Sequence, residues 1–166
     1  MARWLLAIAA VAGCSTPPDL LHAPGDATRA ADAIAAKLGR PRDKIGVLKV
    51  VVRERELDVY VPDPSDPTSA ARYAYFDGNV SAPRPVMVDG DADISTFPLD
   101  ALRFDMVPGL TARLGFELGA PVTQLRLQFN ALDRTIPLLV AASFGDRKGD
   151  IELYPDGRVY ELNAPR

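Results

Sequence analysis

Two segments of the chain carry apolar residues at helical spacing, and runs of alternating apolar and polar residues follow each one. Ala27, Ala30, Ala31, Ile34, Ala35 and Leu38 recur every three or four positions, which predicts a helix from about Ala27 to Leu38. Asp26 stands where an N-cap would, and Gly39 where a left-handed residue would close the last turn. The period then drops to two. Ile45 to Arg53 puts Leu48, Val50 and Val52 on one side of a strand and Lys49, Val51 and Arg53 on the other. Past the charged break Glu54-Arg55-Glu56, Leu57 to Val61 alternates again, with Val59 and Val61 inward. After the loop Pro62 to Ala70, Arg72 to Phe76 leads through Asp77-Gly78 to a short return at Val80.

The second half runs in the same order. Val107, Leu110, Leu114 and Leu118 form one stripe of a helix, with Pro108 tolerated in its first turn and Gly119 at its end. Val122 to Phe129 places Leu125, Leu127 and Phe129 inward and Gln124, Arg126 and Gln128 outward, so one sheet face is expected to be wet. Ile136 to Phe144 is a more apolar strand. Ile151 to Tyr154, the turn Asp156-Gly157 and Val159 to Leu162 complete the series. Leu38-Gly39, Val47 to Val50 and Asp77 to Val80 recur at Leu118-Gly119, Gln124 to Leu127 and Asp156 to Val159, about 80 positions on each time. The expected fold class is therefore α+β: two repeated α-β-β-β units, at 27–82 and 105–166, each a helix packed on a small antiparallel sheet. A linker at 83–104 joins them.

The first residues have a different pattern. Arg3 precedes the apolar run Trp4 to Ala12, and Gly13 and Cys14 follow. The run is too short to span a bilayer, which takes about 20 residues, and has the order of an export signal. Val11-Ala12-Gly13-Cys14 resembles the lipobox of bacterial lipoproteins. That resemblance implies a signal peptide at 1–13, cleavage before Cys14, and lipidation of Cys14 by a diacylglycerol and a further acyl chain such as palmitate. Residues 14–26, with three prolines and no periodicity, then read as a tether between a membrane and the folded body. Ser15 resembles the sorting signal for the outer membrane, with the protein facing the periplasm.

Composition narrows the chemistry. The formal charge is −3, which provides no basic face of the kind a nucleic acid needs. Cys14 is the single cysteine, so disulfides cannot staple the fold. The single histidine, His22, falls in the expected tether, where it can neither build a triad nor complete a zinc site. No serine sits in a Gly-x-Ser-x-Gly elbow, and no glycine-rich phosphate loop is present. No catalytic residue and no cofactor are expected. Asp89, Asp91, Asp93 and Asp100 fall at positions 1, 3, 5 and 12 of a calcium loop, but Ile94 stands where that loop needs glycine. The same aspartates also suit an acidic surface connection that caps its own turns.

The element order, closing on Tyr-Phe-Asp-Gly-Asn-Val (75–80) and Tyr-Pro-Asp-Gly-Arg-Val (154–159), resembles the PepSY and β-lactamase-inhibitor-like envelope modules. The resemblance implies binding of a protein across a concave sheet face and no catalysis. Tyr60, Tyr73, Tyr75, Tyr154 and Arg126 are the candidate contacts, because tyrosine and arginine commonly anchor interfaces, although tyrosines also suit strands for packing alone. The expected function is thus a non-enzymatic, lipid-anchored envelope protein that binds an unidentified envelope or periplasmic protein, of inhibitor, assembly or immunity type. The alternatives are a small-ligand-binding lipoprotein, with room beside Ala30, Ala31 and Ala35, a small hydrolase, or an envelope spacer.

Overall fold

Both helices end in the same way. Helix α1 (Asp26–Leu38) stops at Gly39, φ 65°, and helix α2 (Val107–Leu118) stops at Gly119, φ 63°. In each case the glycine N–H turns back to carbonyls of the last turn, Ala35 and Ala36 or Gly115 and Phe116. The computed structural model describes residues 17–88, 96–129, 137–143, 149–154 and 159–163. Asp26 does not cap α1 as expected. Gly25 occupies that place, and the Asp26 carboxylate instead accepts the Asp19 N–H at 2.8 Å and pairs with Arg29.

The strands follow in chain order: β1 (Gly46–Val47), β2 (Lys49–Arg53), β3 (Glu56–Asp63), β4 (Asp66–Phe76), β5 (Asn79–Val80), β6 (Arg84–Met87) and β7 (Phe97–Pro98) precede α2. β8 (Gln124–Phe129), β9 (Pro137–Ser143), β10 (Gly149–Leu153) and β11 (Val159–Asn163) come after it. All but two of them join in one sheet of nine strands, in the order β11-β10-β9-β8-β2-β3-β4-β5, with β6 also on β4. Every pairing is antiparallel. The architecture is α+β, but the halves do not keep separate small sheets. β2 and β8 pair from Lys49↔Gln128 to Arg53↔Gln124, so each covers what would otherwise be the other's open edge.

Both helices lie on one face of this sheet. Ala30, Ala31 and Ile34 of α1 and Val107, Leu114 and Leu118 of α2 share a core with Val50, Val52, Leu57, Val59, Leu125, Leu127, Ile151 and Leu153. Those strand residues are the inward set that alternation predicts.

Two expected connections belong to the folded body. The linker 83–104 supplies β6, which extends the sheet beyond β4, and β7, which pairs with β1. Leu99, Leu102 and Phe104 from the same stretch are buried in the core. The tether 14–26 is likewise docked over its later part. Leu20 and Leu21 are 0% and 1% exposed, the Leu20 N–H donates to the Glu54 carbonyl at 2.6 Å, and the Thr111 hydroxyl approaches the Leu21 carbonyl at 2.7 Å. The driving force is apolar burial, roughly 1.5–3 kcal/mol for each of the two leucine side chains, set against the ordering of the turn that carries them. His22 sits on this turn, its Nδ1 3.0 Å from Asp19 Oδ1. Residues 1–16, including Cys14, lie outside the described residues.

Candidate functional site

Among the described residues the other face of the sheet carries no helix, and alternation decides what it presents. Because Val50 and Val52 point to the core, Lys49, Val51 and Arg53 point away from it. The same parity gives Glu56, Asp58 and Tyr60 on β3, Arg72 on β4, and Gln124, Arg126 and Gln128 on β8. Register then aligns them in rows. One row runs Asp58, Val51, Arg126, Val140, Glu152 across β3, β2, β8, β9 and β10. A neighbouring row runs Arg84, Arg72, Tyr60, Lys49, Gln128 across β6, β4, β3, β2 and β8. Arg126 thus stands beside the join between the halves, with a valine on either side and a carboxylate beyond each.

Asp58 is the least expected member. It is 1% exposed, although it lies on the face without helices. Arg72 Nε donates to its Oδ1 at 2.8 Å, and Arg53 donates to its Oδ2 at 2.9 Å. The same two arginines reach Glu56, Arg53 at 3.1 Å and Arg72 at 2.7 Å. A buried charge needs this kind of pairing, because an uncompensated carboxylate out of water is costly. The result is a closed square of two cations and two anions.

Lys49 and Arg126 stand outside that square. Lys49 Nζ lies 4.2 Å from the centre of the Tyr60 ring, within cation–π range. Burial pushes the Lys49 pKa below its ordinary value, and the Arg126 charge lowers it further. Burial also raises the Tyr60 pKa, with the Asp58 charge adding to the effect. Arg126 Nε is buried without a hydrogen-bond partner among the described residues. Val51 and Val140 stay buried beside it, in keeping with the way long charged side chains cover apolar neighbours.

The candidate contacts divide between the two faces. Tyr60 and Arg126 lie together on the open face. Tyr75 pairs with Leu57 and Tyr73 with Val59, both core residues, so those two tyrosines point inward. Tyr75 is 8% exposed and packs in the core, which removes it from any surface role; Tyr73 is half-buried against that core. Tyr154 is half-buried just after β10. The sequence reading missed Asp58, Glu56 and Arg72 as a unit. Their alternation was visible, but the 14-residue separation of Asp58 and Arg72 hid the pairing.

Among the described residues no cluster of histidine, cysteine, aspartate or glutamate could hold a metal ion. Asp100 is exposed on a 3-10 turn (Leu99–Ala101), whereas Asp89, Asp91 and Asp93 lie outside the described residues. No helix among the described residues is long and apolar enough to cross a membrane.

No family model matches the chain. No curated protein matches it either. Its fold is similar to the crystal structure of a candidate lipoprotein from Clostridium difficile 630, with a TM-score of 0.57 over 91% of this chain and 95% of that one. The two are 12% identical in sequence, so the similarity is one of fold.

Proposed function

We propose that this chain is a non-enzymatic envelope lipoprotein, anchored through Cys14, that docks another envelope or periplasmic protein on the helix-free face of its sheet. One observation carries the docking reading: both helices cover a single face, and the opposite face presents Tyr60, Lys49 and Arg126 around a preformed Arg53–Asp58–Arg72–Glu56 network. A network already held by its own ion pairs loses little side-chain freedom on association, which reduces the cost of binding.

The anchor reading is supported by Val11-Ala12-Gly13-Cys14. The fold likeness to a candidate lipoprotein agrees with it. Ser15 favours the outer membrane, facing the periplasm. Docking begins at Asp19, five residues after Cys14, so the body would sit within about 17 Å of its anchor. The finer architecture is in keeping with duplication of one α-β-β-β unit and with a likeness to tandem PepSY or β-lactamase-inhibitor-like modules. What supports it is the strand order, which runs β2-β3-β4-β5 outward on one side of the join and β8-β9-β10-β11 on the other. A ligand carrier is less well supported, since Ala30 and Ala31 are fully buried in the core beside the sheet.

Cross-linking of the full chain in intact cells tests the proposal. A single stoichiometric protein partner is expected, lost in Tyr60→Ala and retained in Phe116→Ser, which alters an exposed helix position. Absence of a partner, with a small molecule co-purifying instead, would overturn docking. Cys14→Ser should release the protein from membranes or leave it unprocessed, and unchanged fractionation would overturn the anchor.

A further inference from the structure

The charges on the open face are unequally shared. In the registers spanned by Lys49–Arg53, strands β2, β3, β4 and β8 present Lys49, Arg53, Arg72 and Arg126 against Glu56 and Asp58. Arg53 and Arg72 consume both carboxylates. Among the described residues neither Lys49 nor Arg126 forms an ion pair. Glu152 is in the Arg126 row but two strands away, across Val140. Lys49 and Arg126 are diagonal neighbours across the β2–β8 join, close enough to repel and to share one incoming anionic group.

We propose that Lys49 and Arg126 form a two-cation seat for the carboxylates of an acidic loop on the docked protein. The proposal rests on the docking reading and names the chemistry of the partner. Arg126 brings a half-buried guanidinium that forms no ion pair among the described residues, and a charge-assisted hydrogen bond to a carboxylate is among the stronger ones available to it. Val51 and Val140, buried on either side, lower the local dielectric and strengthen such a bond. The like charges of Lys49 and Arg126 raise each other's energy until an anion arrives; burial first, and the Arg126 charge after it, depress the Lys49 pKa.

The surroundings select the kind of anion. The Arg53–Glu56–Asp58–Arg72 square is already neutral, and Arg84, the further cation of the Lys49 row, lies beyond Tyr60 and Arg72. Lys49 and Arg126 are thus two adjacent cations where a long polyanion needs several in succession to displace its counterions. A small free acid would be held on a helix-free sheet face, whereas small-ligand sites enclose most of their ligand. A carboxylate pair presented by a protein surface fits both limits: two charges, delivered by a body that covers the rest of the face.

Hexaglutamate peptide, hexaglutamine peptide and succinate are the probes, each titrated at low salt into the full chain in detergent micelles with nitrogen-15-labelled arginine. Hexaglutamate should move the Arg126 Nε–H resonance, hexaglutamine should leave it in place, and succinate should act only at far higher concentration. Arg126→Gln and Lys49→Gln should each weaken hexaglutamate binding about tenfold, the scale of one charge-assisted hydrogen bond, while Phe116→Ser leaves it unchanged. Succinate acting as well as the peptide would overturn a protein loop as occupant. An unmoved resonance, or variants that bind as well as the parent, would overturn the seat. If the seat fails while cellular cross-linking still depends on Tyr60, docking stands and only the acidic chemistry falls.

Discussion

Arg72 donates from Nε to Asp58 at 2.8 Å on a face that no helix among the described residues covers, and Asp58 is nevertheless 1% exposed. Arg53, on the strand to the other side, completes the enclosure. Asp58→Asn keeps the shape and removes the charge that both arginines share. We expect it to cost about 2 kcal/mol, below the full value for breaking a deeply buried pair because both arginines reach solvent. Urea denaturation reads this as a lower midpoint at unchanged slope. A shift equivalent to under about 0.5 kcal/mol would reduce the network to ordinary surface ion pairs.

Leu21 distinguishes a docked segment from a free tether. Its side chain is 1% exposed, and the Thr111 hydroxyl approaches its carbonyl at 2.7 Å. Leu21→Ala is expected to destabilise the protein by about 3 kcal/mol, as core leucine truncations do. Thermal unfolding of the variant checks this, since truncation in a free tether would leave the transition where it was.

The helix-ending glycines give a matched pair. A Cβ at Gly39 or Gly119 would meet nothing within 4 Å, so only the left-handed backbone resists substitution. Gly39→Ala and Gly119→Ala should each cost about 1 kcal/mol, and nearly the same amount as each other. A much larger loss at either would mean that packing, not conformation, decides the position.

Much of this arrangement was legible locally. The helix ends fall at the expected glycines, and the outward set Lys49, Val51, Arg53, Gln124, Arg126 and Gln128 follows from a period of two. What escaped depends on contacts between distant strands. Tyr75 alternates as well as Tyr60 does; only its pairing with Leu57 sends it inward. Nothing in Lys49 to Arg53 announces Gln124 to Phe129 as its neighbour, because backbone pairing carries little side-chain code. Leu20 and Leu21 are too short a run to show periodicity, so their burial is a tertiary outcome.

Lys49 gives the stability a defined dependence on pH. Its folded pKa lies below the unfolded value of 10.5, chiefly through burial and then through the charge of Arg126. Between those two values the unfolded chain binds more protons, so stability rises with pH across that window. Lys49→Met removes the contribution. Denaturant midpoints of parent and variant should therefore converge, or the parent should overtake, as pH climbs toward 10.5. A constant difference over that range would contradict the desolvated lysine. Tyr60, with its raised pKa, favours the folded state below 10.0 and gives that up at higher pH.

Site-specific photo-cross-linking in living cells tests most directly whether the open sheet face is the docking surface. A photoreactive residue at Gln128, in the Lys49 row, is compared with one at Phe116, which is 89% exposed on α2. Docking on the sheet predicts one discrete adduct from Gln128 and none from Phe116. An adduct from Phe116, with none from Gln128, would contradict it.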